Sequence, residues 1–188
     1  MALMSLTKEH QQRLLDLARK SIQHGLQTGR PLKVSLADYP AELTEQRATF
    51  VTLQKHQQLR GCIGMLEAVR PLVEDIAENA FLAAFRDPRF PPLTDDEFGE
   101  LEIHLSILTP ATPLAFTSEQ DLINQLQPGI DGLILQEGQR RGTFLPSVWE
   151  QLPEPEQFLR HLKQKAGLPF DYWSETIKMY RYHTEMIA

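Results

Sequence analysis

The hexapeptide LRGCIG at residues 59–64 constrains the fold of this chain more than any other segment. It holds the only cysteine of the chain, Cys62, bracketed by Gly61 and Gly64. The two-residue period of a β-strand places Arg60, Cys62 and Gly64 on one face and the other three residues on the opposite face. Glycine inside a strand marks a bulge or a close approach by another group. We therefore expect Cys62 to lie where a ligand can reach it.

Two interpretations of this cysteine stay open at the level of sequence. A guanidinium two residues away favours the thiolate, so Arg60 is expected to lower the pKa of the Cys62 thiol and to orient an anionic substrate. In that case Cys62 is a nucleophile or a reactive thiol, and Gly61 and Gly64 belong to the ligand site. In the alternative, Cys62 is a small buried apolar residue with a structural role.

The rest of the chain predicts an α+β fold with antiparallel sheets. Apolar residues recur at helical spacing in some segments and alternate with polar residues in others, and the alternating segments are joined by short polar turns. Strands joined by short turns pair as antiparallel hairpins, whereas a parallel sheet needs long crossovers. The predicted helices span residues 7–27, 71–85, 118–126 and 153–166, and the predicted strands span residues 48–53, 59–64, 101–108, 130–135, 143–145 and 177–182.

Four further residues are candidates for the site. His104 lies on the polar face of the strand at 101–108 and is the best local base if Cys62 lies opposite, although a half-exposed structural strand shows the same pattern. Glu67 is available for proton transfer. Arg89 lies on a proline-stiffened loop, where it either contacts a ligand or pairs with Asp87. Arg141 is expected to be solvated or to contact an anionic ligand.

Composition and missing motifs exclude several function classes. The chain has 188 residues with 19 basic and 25 acidic side chains, and this net charge of −6 disfavours binding to polyanions. One cysteine excludes an internal disulfide framework, and neither the histidine spacing nor the single cysteine supports a metal site. The sequence has no phosphate-binding or dinucleotide-binding glycine motif, so no cofactor is expected. The N-terminal residues 1–6 lack the features of a leader or membrane segment, so we expect a cytoplasmic protein.

The hexapeptide and several later segments together resemble the AMMECR domain family. The matching segments are residues 59–64, 87–93, 101–110 and 131–135, the last of these running into 141–146. The resemblance covers nearly the whole chain and implies a single AMMECR-like domain over residues 1–188. That domain has two lobes, the larger one formed from both chain ends, with the hexapeptide at their junction. The family name carries no established reaction.

Two main classes of function remain, and a third class is less favoured. The first is an enzyme or small-ligand binder whose cleft holds an anionic molecule or thiol chemistry around Cys62 and Arg60. The second is an accessory module that receives a protein segment, and the resemblance implies Memo-like and radical SAM proteins as partners. The third is a nucleic-acid-associated protein, which the acidic charge balance disfavours.

Overall fold

The computed structural model describes residues 5–188, which form two compact units. The first unit is the chain up to Thr109 together with Glu185–Ala188, and the second is Pro110–Thr184. The larger unit is thus built from both chain ends, as the family resemblance implied. Residues 1–4, which form most of the segment predicted to lack a leader, lie outside the described residues.

The first unit packs helices against one face of a four-stranded sheet. The strand order is β2-β1-β3-β8, and β1 pairs antiparallel with both β2 and β3. This confirms the predicted hairpin at residues 48–64. The elements are α1 (Lys8–Thr28), α2 (Ala41–Thr44), β1 (Thr49–Lys55), β2 (Gln58–Gly64), α3 (Leu72–Phe85), α4 (Asp95–Phe98), β3 (Leu101–Leu108) and β8 (Thr184–Ile187).

The core of the first unit lies between the sheet and the helices α1 and α3. Val51 and Leu53 of β1 and Leu105 of β3 are fully buried against apolar side chains of both helices, among them Ile22 and Ile76. Alternate residues of the same strands point to the opposite face of the sheet. Burial of one face therefore fixes which side chains the other face presents.

The second unit is a smaller four-stranded sheet packed against two helices. Its strand order is β4-β7-β5-β6, and all of its described pairs are antiparallel. Trp149 and Phe158 stack in its core with ring centroids 3.7 Å apart. The elements are β4 (Thr112–Pro113), α5 (Glu119–Gln125), β5 (Gly132–Glu137), β6 (Arg140–Phe144), α6 (Pro155–Lys165) and β7 (Lys178–Tyr182).

The α+β class with antiparallel sheets is confirmed, and two strands were missed. β4 is only two residues long, too short for any period to appear in the sequence. β8 follows β7 after a single residue, His183, and joins the sheet of the first unit. Within residues 5–188, every helix is too short or too polar to cross a membrane.

Candidate functional site

Strand β2, which carries the hexapeptide, is an edge strand with a bulge at Arg60. Gln54 pairs with Leu59 and Leu53 pairs with Gly61, so Arg60 has no partner on β1. The extra residue interrupts the alternation of side chains. Leu59, expected on the inner face, is 44% exposed, whereas Arg60 is only 7% exposed.

The bulge also decides which residue lies opposite the cysteine. The hairpin turn pairs Lys55 with Gln58, and a regular ladder continued from that pair would place Thr52 opposite Gly61. Because β2 has one extra residue, Thr52 lies opposite Cys62 instead. The Cys62 Sγ and the Thr52 Oγ1 are 3.2 Å apart and share a hydrogen bond. The thiol is half-buried and lies on the sheet face opposite the helices.

Arg60 has a structural role, which corrects its predicted position beside the thiol. Its Nε donates to Glu97 Oε2 at 2.8 Å, and its Nη2 donates to Glu97 Oε1 at 3.2 Å and to the Pro91 carbonyl at 2.7 Å. These bonds to Arg60 lower the pKa of Glu97 to about 2, and Thr94 adds to the effect. The guanidinium charge is thus neutralised at close range. The Arg60 Nη1 is buried and has no hydrogen-bond partner within the described chain.

Gly61 and Gly64 admit neighbouring chain segments, and their predicted role at a ligand stays a prediction. A Cβ at residue 61 would lie 2.1 Å from the carbonyl oxygen of Ala83 on α3, and real side chains do not approach backbone this closely. A Cβ at residue 64 would lie 2.3 Å from the Thr49 oxygen and would also overlap the Phe50 ring. The two glycines therefore allow close packing around β2.

The loop at residues 87–92 binds the outward-facing backbone of Cys62. The Cys62 N–H donates to Asp87 Oδ2 at 3.0 Å, and the Cys62 carbonyl accepts from Arg89 Nη2 at 3.4 Å. An edge strand has no neighbour to satisfy these groups, and here two side chains take that place. Cys62 is therefore held on both sides, by Thr52 of β1 and by this loop.

Asp87 and Arg89 form a close ion pair, as one of the two predicted alternatives required. Arg89 donates to Asp87 from its backbone N–H at 3.0 Å, from Nε at 3.0 Å and from Nη2 at 2.8 Å. The Arg89 hydrogen bonds hold the pKa of Asp87 well below its usual range despite burial, and the Cys62 N–H adds to this.

The Arg89 guanidinium carries a positive charge next to the backbone of Cys62. Its pKa is raised chiefly by the hydrogen bond to Asp87, and the electrostatic interactions with Asp87 and Cys62 add to the effect. The Arg89 side chain is 55% exposed, so a molecule in solvent can reach it. Among the predicted ligand-binding residues, Arg89 is the one that the structure places at Cys62 as a solvent-accessible cation.

His104 does not contact the thiol, which corrects its predicted role as the base for Cys62. Thr52 pairs with Cys62 on one side and with His104 on the other, so the three residues form a row across β2, β1 and β3. Two strand spacings separate Cys62 from His104, which is roughly 10 Å. The nearest acidic oxygen to the His104 Nε2 is Oε2 of Glu102, at 3.9 Å.

Glu67 and Arg141, the two remaining candidates for the site, lie on different elements from Cys62 and Arg89. Glu67 is exposed in the loop that follows β2, and Arg141 is exposed on β6 of the second unit. Whether the hexapeptide lies at the junction of two lobes stays a prediction. Within residues 5–188, histidine, cysteine and acidic side chains form no group of three or more that could hold a metal ion.

Thr52 and Glu97 are two residues of the site that the sequence analysis did not assign to it. Thr52 was missed because a regular hairpin would have placed it opposite Gly61. Glu97 closes the capping box that begins at Thr94, a pattern that the sequence Thr-Asp-Asp-Glu at residues 94–97 already indicates. Its second bond, to Arg60, has no signal in the sequence, since the two residues are 37 positions apart.

Comparisons with known proteins identify the family to which this chain belongs. A family model described as AMMECR1 matches residues 15–187. A protein of Methanothermobacter thermautotrophicus is 36% identical over 183 residues, which is 96% of this chain and 95% of that protein. A protein of Methanopyrus kandleri is 40% identical over 176 residues, which is 89% of this chain and 82% of that protein. The crystal structure of uncharacterized protein PH0010 from Pyrococcus horikoshii is 36% identical with a TM-score of 0.87, covering 96% of this chain and 92% of that one. Both the family model and the relatives span most of the chain, which therefore belongs to the AMMECR1 family.

Proposed function

We propose that this protein binds a small anionic ligand beside Cys62, with Arg89 as the cation that attracts it. The observation that carries the proposal is the position of a solvent-accessible guanidinium, fixed by a buried carboxylate, at the backbone of a half-buried thiol. Arg60, neutralised by Glu97, holds the loop in place and does not meet the ligand.

The geometry of Arg89 suits this role. Asp87 accepts hydrogen bonds from the Nε and Nη2 of Arg89, which fixes the plane of the guanidinium. The Nη1 makes no hydrogen bond with the described part of the chain and can donate to a carboxylate or phosphate oxygen. A cation held in one orientation loses little conformational entropy when a ligand binds.

The thiol provides both the proposed chemistry and a way to measure it. A thiolate, rather than a thiol, is the attacking species. With iodoacetate, the Cys62 thiolate forms a sulfur–carbon bond and displaces iodide, and solvent takes the thiol proton. Because Cys62 is the only cysteine, all alkylation of the chain at sulfhydryl groups reports on this site.

The test compares the rates of alkylation by iodoacetate, which is an anion, and by iodoacetamide, which is neutral. At low ionic strength we expect the ratio of the two rates to be about 3–10-fold higher for the native protein than for Arg89→Gln. Arg89→Lys keeps the positive charge and is expected to keep most of the ratio. Arg30→Gln removes an exposed arginine elsewhere in the first unit and is expected to leave the ratio unchanged.

Two results would contradict the proposal. An unchanged ratio in a folded Arg89→Gln variant would show that Arg89 does not attract anions to Cys62. A native thiol that reacts with neither reagent would show that Cys62 is packed rather than accessible. Far-UV circular dichroism of each variant shows whether its fold is retained.

As a second candidate we propose an accessory module that binds a protein partner, with Memo-like and radical SAM proteins as the expected partners. The observation that favours it is the exposure of three apolar side chains in and after the hexapeptide, namely Leu59, Met65 and Val69. We expect co-purification with such a partner to be lost in the double variant Leu59→Ser, Val69→Ser and retained in Leu36→Ser, an exposed leucine elsewhere. Retained binding in the double variant would exclude this surface.

A further inference from the structure

A pocket of about 540 Å³ lies between the extended segment that follows α1 and one side of α3, within the first unit. The segment at residues 30–34 forms one wall, and the other wall consists of Arg70, Glu74 and Glu78. Apolar side chains of the segment are half-buried against the core and give this wall an apolar surface. The volume is within the range of small-molecule sites in proteins.

A buried polar network holds the Arg70 guanidinium in place at this pocket. The Arg70 Nε donates to Asp75 Oδ1 at 2.9 Å, and the Nη2 lies 2.9 Å from the same oxygen and 3.5 Å from Asn79 Oδ1. Asp75 and Asn79 are almost completely buried, and both bind Thr49, which is buried as well. The Arg70 side chain itself is 29% exposed. The interior of the first unit thus fixes the plane of a cation that solvent can reach.

The open end of this guanidinium can bind an anion. Asp75 occupies the edge formed by Nε and Nη2, whereas the Arg70 Nη1 makes no hydrogen bond with the described part of the chain. Arg30 and Lys33 line the same pocket, and no acidic oxygen of residues 5–188 lies within 4 Å of their side-chain nitrogens. A carboxylate in the pocket would therefore meet one fixed donor and two cations without acidic partners.

The acidic side chains of the pocket require a positive charge in the same ligand. Glu74 and Glu78 are four positions apart on α3, so they lie on one face of the helix. Both are half-buried, and among residues 5–188 no lysine or arginine nitrogen comes within 4 Å of either carboxylate. These carboxylates repel a ligand that is only an anion, and the three basic side chains repel one that is only a cation.

We propose that this pocket binds a small zwitterion, namely an α-amino acid with an apolar side chain. Its carboxylate accepts from the Arg70 Nη1 and lies near Lys33, and its ammonium group donates to Glu74 and Glu78. Its side chain contacts the apolar surface of the segment at residues 30–34. The pocket has no residue in common with the proposed anion site, so the two proposals stand or fall independently.

The test uses three molecules with the same side chain and different charges, namely leucine, leucinamide and N-acetylleucine. At about pH 6 the first is a zwitterion, the second is mainly a cation and the third is an anion. Each is titrated into the native protein labelled with nitrogen-15, and amide chemical shifts are followed. We expect leucine to bind with a Kd on the order of 1 mM and to shift the amides of residues 32–34 and 72–78. The other two molecules are each expected to bind about 3–10-fold more weakly.

Two variants test the two charged ends of the ligand separately, and neither variant removes a side chain with an ionic partner. Lys33→Gln is expected to weaken the binding of leucine and N-acetylleucine by about 2–5-fold and to leave leucinamide unchanged. Glu78→Gln is expected to weaken the binding of leucine and leucinamide by about 2–5-fold and to leave N-acetylleucine unchanged. Lys20→Gln and Glu9→Gln are the matched controls, since both residues are exposed on α1 outside the pocket.

Three results would overturn the proposal. The first is that leucine does not shift the amides of the pocket. The second is that leucinamide or N-acetylleucine binds as tightly as leucine, which would show that the pocket does not recognise both charges. The third is that both pocket variants bind leucine as the two controls do.

Discussion

Arg60 and Arg89 both lie against the ring of Phe90, yet only Arg89 remains accessible to a ligand. The difference lies in their acidic partners. The Glu97 carboxylate accepts two hydrogen bonds from Arg60, which is buried. The Asp87 carboxylate accepts hydrogen bonds from Arg89, whose side chain is exposed to solvent. One arginine therefore stabilises the loop, and the other gives the loop a charge that can act on other molecules.

Replacing Arg60 tests its structural role. Arg60→Gln leaves the mostly buried Glu97 with only the Lys55 Nζ, 3.7 Å from its Oε2, as a cationic partner, and it removes the donor of the Pro91 carbonyl. We expect a loss of about 2–4 kcal/mol in the free energy of unfolding. Urea denaturation measures this, and Arg30→Gln, which removes an exposed arginine, is expected to change stability by no more than about 0.5 kcal/mol. Equal effects of the two variants would contradict the role given to Arg60.

The same ion pair predicts how stability depends on pH. The pKa of Glu97 is about 2 in the folded protein against an ordinary value of 4.5, so the unfolded chain binds more protons between these values. Stability is therefore fully present above about pH 4.5 and is lost as the pH falls toward 2, by about 2–3 kcal/mol from this group. Asp87, whose pKa is also lowered, adds a loss of the same sign.

Urea denaturation between pH 6 and pH 2.5 measures that dependence. Glu97→Gln is expected to be less stable than the native protein at pH 6 and to lose less stability on acidification. A variant whose stability falls as steeply as that of the native protein would show that Glu97 does not titrate as described.

At the scale of single residues, the sequence indicated one of the contacts of the proposed site and missed the others. Cys62 and Arg89 were both predicted as site residues, and the Asp87–Arg89 pair was one of two alternatives. The structural contacts of Arg60, Gly61 and Gly64 were not predicted, because their partners, Glu97, Ala83 and Thr49, are distant in the chain. A guanidinium near a thiol in sequence does not show which carboxylate the fold will bring to it.

Among the elements, β2 has the strongest effect on the site, through its single bulge. The extra residue turns Arg60 toward α4 and aligns Cys62 with Thr52. Without it, the thiol would have no hydroxyl opposite. The close contact of β2 with α3 then limits which residues the strand can contain.

Gly61 provides a direct test of that contact. In Gly61→Ala the new methyl group would lie 2.1 Å from the Ala83 oxygen, so strand and helix must separate. We expect a loss of about 2–4 kcal/mol. Gly99→Ala is the matched control, because residue 99 has φ −68° and no atom within 4 Å of the new Cβ.

Thermal denaturation of both variants measures the difference. For Gly99→Ala we expect no loss and a gain of up to about 1 kcal/mol, since alanine restricts the unfolded chain. A Gly61→Ala variant as stable as Gly99→Ala would mean that the backbone contact with α3 is absent.

Most regular elements were predicted to within two residues, although β6 begins at Arg140, three residues before its predicted start, and irregular elements were not predicted. The bounds of β3 matched the predicted 101–108 because alternation of apolar and polar residues over eight positions has no competing interpretation. The glycines of the hexapeptide indicated a bulge or a close contact, but the sequence did not place the bulge at Arg60, whose partner Glu97 lies beyond α3. The two-residue strand β4 depends on pairing with β7 alone.

At the scale of the whole molecule, the chain leaves the first unit at Thr109 and returns to it at Glu185. Strand β8 brings the chain end into the same sheet as the hexapeptide, at the opposite edge. Ile187 of β8 belongs to the core of the first unit and is 2% exposed. The core of the first unit therefore includes residues that lie more than 70 positions after Thr109 in the sequence.

Ile187→Ala tests this dependence. We expect it to cost about 2–4 kcal/mol of unfolding free energy, because it leaves a cavity beneath the sheet. Its neighbour Met186 is largely exposed, and Met186→Ala is expected to cost no more than about 0.5 kcal/mol. Guanidinium denaturation measures the free energy of unfolding of both variants. Equal losses of stability would show that β8 does not contribute to the core.

The contacts of Asp87 and Arg89 with the backbone of Cys62 also affect how copies of the protein behave at high concentration. An uncovered edge strand invites a strand from another copy to add to the sheet, and this is a common beginning of aggregation. Here the two charged side chains already occupy the hydrogen-bonding groups that such a strand would need. The loop that supplies a charge beside the cysteine therefore also hinders the addition of a foreign strand at Cys62.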